Sequence, residues 1–296
     1  MNFKETIKNM RKVNRFDWVL FLAMVIMFSR VFYRLAAIGW KTADYTHAYF
    51  ILPISLWFIF KKRNALVKAE GVSKSGATLF ILGVASYLFA ALNEFMFLEG
   101  FSFVLMMWAV FRLRFTKESF QKILFPLAYL LFLVPPPSLA IDTVTLPLKK
   151  ISTYGSYFLF KLFRFSVEVH GAILKVGEHE LFIADACSGF RSMVTLLALG
   201  AVYAYVQNTS LLKKWIIFLS VIPLGIMGNI LRITITGCLS YFCDPKYAEG
   251  FFHNFSGMVL FVFTTIGLMI LTELICKKQP PNTPKDIEKR VKTTNK

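Results

Sequence analysis

Eight apolar runs divide this chain of 296 residues, at roughly 18–38, 47–60, 76–92, 95–111, 123–135, 189–206, 215–235 and 255–275. A helix of ~20 apolar residues matches the ~30 Å hydrocarbon core of a bilayer. Backbone groups in lipid must be satisfied within the protein, so runs of this kind are helices. Composition agrees, since 56% of the residues are hydrophobic and 16% aromatic, leaving too little polar material to cover a soluble domain of this length. The expected fold class is all-α: a polytopic membrane protein with about eight transmembrane helices, forming a single integral membrane domain over residues 1–276.

A formal net charge of +17 invites a nucleic-acid reading. The cations, however, lie at the ends of the apolar runs and lack the aromatic interleaving of a nucleic-acid surface, so nucleic acid is set aside as a partner. Lys4, Lys8, Arg11, Lys12 and Arg15 precede the first run, and Lys61, Lys62, Arg63, Lys68 and Lys74 separate the second from the third. Arg112, Arg114, Lys117 and Lys122 separate the fourth from the fifth, Lys213 and Lys214 the sixth from the seventh, and Lys277 and Lys278 open the tail. Every second connection is basic, and both termini join that set. The positive-inside rule then places both termini in the cytoplasm of a multi-pass protein of the inner (cytoplasmic) membrane. The first run exceeds a signal-peptide core and is followed by no small-residue cleavage site, so it reads as a retained helix. Residues 277–296 read as a basic, disordered cytoplasmic tail.

One long connection, 135–187, falls outside, between the fifth and sixth helices. Pro135-Pro136-Pro137 stops the preceding helix. An amphipathic stretch around 141–165 carries Lys149, Lys150, Lys161 and Arg164, which suit it to a headgroup surface. Residues 167–184 alternate around Gly171 and the Gly177-Glu178 turn as a small β element. That element runs straight into Asp185-Ala186-Cys187-Ser188-Gly189.

This topology brings three reactive side chains to the external face. Cys187 opens the sixth helix, Arg232 lies near the external end of the seventh, and His253 just precedes the eighth. A helix N-terminus and nearby cations lower a thiol's pKa, and the thiolate is the nucleophile. A His beside it serves as general base, and an Arg stabilises the thiolate or the oxyanion formed on an attacked carbonyl. Each residue also has a plainer reading: a cysteine as a small apolar filler, a headgroup-facing histidine, a snorkelling arginine. Arg191, one turn after Cys187, competes with Arg232. Cys238 and Cys243 compete as nucleophiles but lack a helix N-terminus and the flanking Ser188-Gly189. Asp44 and His47, before the second helix, either meet the same site or cap that helix. Glu94 and Glu99 flank the fourth helix's external start, in structural or functional roles. His47, His170, His179 and His253 are all external but lack close ligand spacing, so neither a metal nor another cofactor is expected.

At these residues the chain resembles the exosortase/archaeosortase family of membrane-embedded cysteine transpeptidases. The likeness lies in Ala186-Cys187-Ser188-Gly189 leading into Arg191-Ser192, in Asn229-x-x-Arg232, and in His253 followed by Gly257. It extends to Asp44-Tyr45-Thr46-His47 and the proline break at 135–137. The resemblance implies a transpeptidase or protease that cleaves C-terminal sorting tails (a short motif, an apolar helix and a basic end) from exported proteins. The new C-terminus passes through a Cys thioester to an acceptor, with a lipid or glycan among the candidates. Carried over by position, Cys187 is the nucleophile, Arg232 the family's arginine and His253 the base, with Arg191, Ser188, Asn229, His47 and Asp44 in support. Three other classes remain open on the residues alone: a transporter using intramembrane arginines, an envelope glycan or lipid-phosphate transferase, and a scaffold.

Overall fold

The computed structural model describes residues 15–41, 45–171, 173–182, 190–242 and 251–276. The chain divides into two compact units, Met1–Pro136 and Pro137–Lys296, with the boundary inside the Pro135-Pro136-Pro137 stop. The first unit contains α1 (Arg15–Arg34), which widens into a π turn over Leu35–Gly39, then α2 (Ala48–Lys61), α3 (Lys74–Leu92) and α4 (Met96–Arg114). The short α5 (Lys117–Lys122) and α6 (Leu124–Tyr129) follow, the latter tightening into a 3-10 turn at Leu130–Leu133. The second unit comprises α7 (Ser138–Leu162), strands β1 (Val167–His170), β2 (Ile173–Val176) and β3 (His179–Phe182), then α8 (Phe190–Val206), α9 (Leu211–Phe242) and α10 (Phe251–Cys276).

Each of the eight apolar runs is helical. Among the described residues, five helical segments are long and apolar enough to cross a bilayer: Trp18–Gly39, Lys74–Leu92, Met96–Arg114, Leu211–Phe242 and Gly257–Cys276. Leu124–Leu133 and Ser138–Leu162 make a sixth if counted as one broken span, and Ala48–Lys61 and Ser192–Val206 are apolar but shorter. The fold is therefore an all-α polytopic membrane protein, with the fifth run interrupted by its prolines. Burial is arranged accordingly. Ser55, Ser102 and Ser156 have no exposure, while Leu82, Leu88 and Leu219 are more than half exposed, the pattern of helices that meet through small residues in lipid. Residues 1–14 and the basic tail at 277–296 lie outside the described residues.

In the first unit, Phe28 packs edge-on against Tyr87 and Phe103, with ring centroids 5.2 and 5.3 Å away. Trp40, delivered by the π turn, donates its indole N–H to the Leu133 carbonyl at 3.0 Å. Ser55 Oγ donates to the Pro126 carbonyl at 2.7 Å and ties α2 to α6. Helices α3 and α4 form an antiparallel hairpin, with Gly83 against Met106 and Gly76 against Leu113. Its turn puts Glu94 at φ 57, a left-handed conformation that a non-glycine residue adopts at some cost. Two arginines of α1 grip that turn. Arg34 Nη2 donates to the Glu94 carbonyl at 3.3 Å, and Arg30 lies 3.8 Å from the Glu94 carboxylate. Arg34 Nη1 also donates to Glu99 Oε1 at 2.7 Å, where the Glu99 side chain is 1% exposed and that of Arg34 20%. Glu94 and Glu99 therefore act here as structural partners of α1.

In the second unit, α7 covers the amphipathic stretch expected near 141–165. It buries a small polar face (Thr145, Ser152, Thr153, Ser156) and exposes Leu146, Tyr154, Phe158 and Leu162, with Lys150 and Lys161 also exposed. The Lys161 ammonium lies 5.7 Å from the Tyr157 ring centre, a snorkelling arrangement suited to a headgroup boundary. The β element forms a three-stranded antiparallel sheet of order β1-β2-β3. Gly171 follows β1 and Gly177 follows β2, at φ +63 and +61.

Removing one member of a buried ion pair strands the other, a loss of roughly 3–5 kcal/mol. Glu99→Ala is therefore expected to lower the thermal unfolding midpoint of the detergent-purified protein by several degrees more than Glu94→Ala, whose carboxylate is exposed. Equal midpoints for the two variants would remove the Arg34–Glu99 pair as the brace of this unit.

Candidate active site

The candidate site is built around α9, a 32-residue helix. Arg232 is 7% exposed on it, and Asn229, one turn earlier, is 1% exposed. Burying a guanidinium and an amide within an apolar helix is costly unless polar groups meet them. Helix α7 supplies one such group: Asn229 Nδ2 donates to Ser152 Oγ at 3.0 Å. One turn along α7, Ser156 Oγ donates to the Ile230 carbonyl at 3.1 Å. Between the two serines, Gly155 allows this approach, because a Cβ there would fall 2.4 Å from Ile230 Cδ1.

Small residues also set the register of α8 and α10 against α9. Gly225 faces Met193 and Leu196 of α8, and Gly200 of α8 faces Val221, so these helices run antiparallel. Gly228 faces Leu260, Phe263 and Thr264 of α10, and Gly267 faces Leu224, another antiparallel pair. This register sets Arg232 level with Phe190 at the start of α8 and with the turn of α10 around Val259. His253 belongs to the first turn of α10, about six residues or ~9 Å further along the axis at 1.5 Å per residue. Arg191 belongs to the first turn of α8.

The sheet fixes the other approach to this region. Val167, Leu174 and Val176 pack with Phe160 of α7 and Ile233 of α9 in one buried cluster. Gly177 lies against the Tyr241 ring, where a Cβ would come within 2.7 Å of Cε2, and Phe165 meets Tyr241 edge-on at 5.3 Å. Strand β3 thus ends at Phe182 beside the carboxyl-terminal half of α9, and α8 begins at the buried Phe190. Cys187 and Ser188 belong to the segment between, which lies outside the described residues, as does Cys243.

Cys238 is half-buried and packs against the sheet cluster, and Cys276 packs against the apolar cluster of α8, α9 and α10. Both thiols have the surroundings of structural fillers. His47 is 9% exposed in the first unit, its ring 5.5 Å from that of Tyr45. It occupies the cap position of α2, yet its side chain makes no capping hydrogen bond, so capping does not account for it. Asp44 lies outside the described residues. His170 is exposed on β1, 3.4 Å from Glu168. Ser152 was not singled out from sequence, although the Ser152-x-x-Gly155-Ser156 spacing of small residues on one helix face was a usable signal.

A family model described as transmembrane exosortase matches residues 40–270, well over half of the 296 residues. The chain belongs to the transmembrane exosortase family. The match runs from Trp40, at the end of the π turn, into α10, and so takes in Asn229, Arg232 and the start of α8. Membership of that family implies a membrane transpeptidase acting on sorting signals. No curated protein and no solved structure gives a significant match.

Replacing Ser152 removes the hydroxyl that receives the Asn229 amide, and losing a buried hydrogen-bond partner costs about 1–3 kcal/mol. Ser152→Ala is expected to lower the thermal midpoint and Ser152→Thr to restore part of the loss. Gly155→Val is expected to lower it further, since overpacking a close helix contact costs roughly 1–3 kcal/mol in addition to breaking the approach. A Gly155→Val protein with a native midpoint would overturn this account of the α7–α9 contact.

Proposed function

We propose that the protein is a cysteine transpeptidase that cleaves exported proteins at a C-terminal sorting tail and passes the new C-terminus to an acceptor. The observation that carries this reading is a buried arginine, Arg232, level with the first residue of α8, three residues after Cys187, in a chain of the exosortase family. The substrate's single apolar helix lies among the protein's own helices, bringing its juxtamembrane peptide bond to Cys187. His253 takes the thiol proton, and the thiolate adds to the peptide carbonyl carbon. Arg232 stabilises the oxyanion, a role suited to a cation in a low-dielectric site. Collapse of the tetrahedral adduct breaks the C–N bond, and His253 returns its proton to the departing amine of the tail. An acceptor nucleophile then attacks the thioester, is deprotonated by the same imidazole, and frees the thiol. Water in place of the acceptor gives hydrolysis. Asn229 and Ser152 hold α9 at the level this reaction requires, and Arg191 and Ser188 complete the set of supporting residues in this unit.

The test follows a tailed substrate co-expressed with wild type or with Cys187→Ala, Arg232→Ala or His253→Ala, each variant checked for membrane abundance and thermal midpoint. Cys187→Ala is expected to lose processing by on the order of a thousandfold or more, as removal of a nucleophile does. Arg232→Ala is expected to lose about a hundredfold to a thousandfold, as removal of an oxyanion donor does. His253→Ala is expected to lose about a hundredfold or more, as loss of a general base does. Full processing by a folded Cys187→Ala protein would rule the mechanism out.

A further inference from the structure

The basic end of the first unit is a folded surface, and nothing in the reaction above uses it. Residues 61–74, between α2 and α3, and residues 112–122, from the end of α4 through α5, carry nine Lys or Arg (Lys61, Lys62, Arg63, Lys68, Lys74, Arg112, Arg114, Lys117, Lys122) against Glu70 and Glu118. The positive-inside rule accounts for such charge between helices, but it does not require the two connections to bond to each other. Here they do. Lys68 and Phe115 form an antiparallel bridge, with Ala69 N–H donating to the Arg114 carbonyl and Thr116 N–H to the Val67 carbonyl, each at 3.0 Å. Val67 N–H donates to Ser119 Oγ at 2.8 Å. Two ammonium groups cross between the connections: Lys62 Nζ donates to the Lys122 carbonyl at 2.6 Å, and Lys122 Nζ to the Ala65 carbonyl at 3.4 Å. Cations are thus brought together by main-chain bonds in spite of their mutual repulsion.

The carboxylates within the two connections are Glu70 and Glu118. Glu118 is engaged at the start of α5, where its own main-chain amide and the Thr116 hydroxyl hold its carboxyl below the usual range. Apolar groups stand beside the cations. Val67 and Val72 are 61% and 81% exposed, and Trp57 and Phe60, in the last turn of α2, are more than half exposed. Lys61 lies over the Trp57 ring at 5.3 Å and Arg63 over the Phe60 ring at 3.8 Å. The surface caps the ends of α3 and α4, both long enough to span a bilayer, so it lies at the depth where hydrocarbon gives way to headgroups.

We propose that this stapled pair of connections is a binding site for an anionic phospholipid, with the phosphate held by the cations and the acyl chains against the exposed apolar side chains of α2. A soluble polyanion would account for the charge but not for the apolar groups interleaved with it. Anionic lipid contributes to the stability of the first unit by neutralising repulsion that the fold itself has concentrated.

The experiment uses the full chain in a neutral detergent, titrated with short-chain phosphatidylglycerol, phosphatidylcholine or glycerol 3-phosphate, and reads thermal midpoint and apparent affinity. Phosphatidylglycerol is expected to raise the midpoint by about 3–5 °C, as saturation of a native-state ligand does for a domain this size. Phosphatidylcholine and glycerol 3-phosphate are expected to leave it unchanged. In Lys74→Gln/Lys117→Gln/Lys122→Gln the apparent affinity for phosphatidylglycerol is expected to fall about tenfold or more, given the contribution of each Lys or Arg near an anionic surface. If that triple variant is unstable without lipid, Lys74→Gln/Lys117→Gln, which touches none of the stapling bonds, is expected to show a smaller fall in the same direction. Lys150→Gln/Lys161→Gln on α7 is expected to respond as wild type does. An unchanged response in both loop variants, an equal response to phosphatidylcholine, or an equal response to glycerol 3-phosphate would each overturn the proposal.

Discussion

The close approach of α7, α8 and α10 to α9 is the constraint on which the second unit depends. Lipid offers helices little hydrophobic reason to associate, so contact must come from close packing and from polar groups that find partners. Gly155, Gly200, Gly225, Gly228 and Gly267 each stand where a Cβ would meet a neighbouring side chain within 3.1 Å. At the α7 contact, Gly155 brings the backbones near enough for Ser152 and Ser156 to reach the Asn229 amide and the Ile230 carbonyl. Without that approach, Asn229 would lose the Ser152 hydroxyl that its amide meets. The small residues are therefore what make an internal polar stripe on α9 tolerable.

The first unit solves a comparable problem with charge. Its α3–α4 turn adopts a left-handed conformation at Glu94, and a buried carboxylate follows at Glu99. Both are met by arginines one turn apart on α1, so one helix face stabilises a strained turn and a desolvated anion together. The two units thus use different devices for the same requirement, that polar groups within a membrane protein be matched inside it.

How much of this was legible from sequence follows from the kind of signal each feature leaves. The helical runs were readable because hydropathy is summed over many residues, and all eight are helices. Span length was less readable. The fifth run breaks at prolines whose effect depends on where the flanking helices pack, and α2 and α8 are shorter than a full crossing. The sheet was legible from alternation around Gly171 and Gly177, and both glycines hold the left-handed turns that alternation required. Asn229 and Arg232 stood out because polar residues in apolar helices are rare. Ser152 did not, because a serine in an amphipathic helix carries no mark of its partner 77 residues away. Glu94 and Glu99 were ambiguous for the same reason, since their partners on α1 are set by tertiary packing alone.

The register of α9 constrains chemistry more tightly than residue identity does. Antiparallel packing on both sides means that moving along α9 toward Phe242 moves toward the start of α8 and the start of α10 at once. A group near Arg232 is therefore close to the start of α8, while the start of α10, at Phe251, lies ~12 Å further along the axis at 1.5 Å per residue; the amides and dipoles of such helix N-termini favour negative charge. The guanidinium adds a permanent cation to that end, and the sheet, seated on Ile233 and Tyr241, delivers the chain toward it. On the proposed function, a site of this construction would lower the free energy of an anion with little reorganisation as the anion forms, which is the physical requirement for stabilising an oxyanion or a thiolate. A carbonyl substrate gains from it only if its own charge develops at this level of α9. For a substrate anchored by a membrane helix, that level is set by where the hydrocarbon ends. On the proposed function, membrane depth would be a component of specificity, alongside any sequence read near the scissile bond.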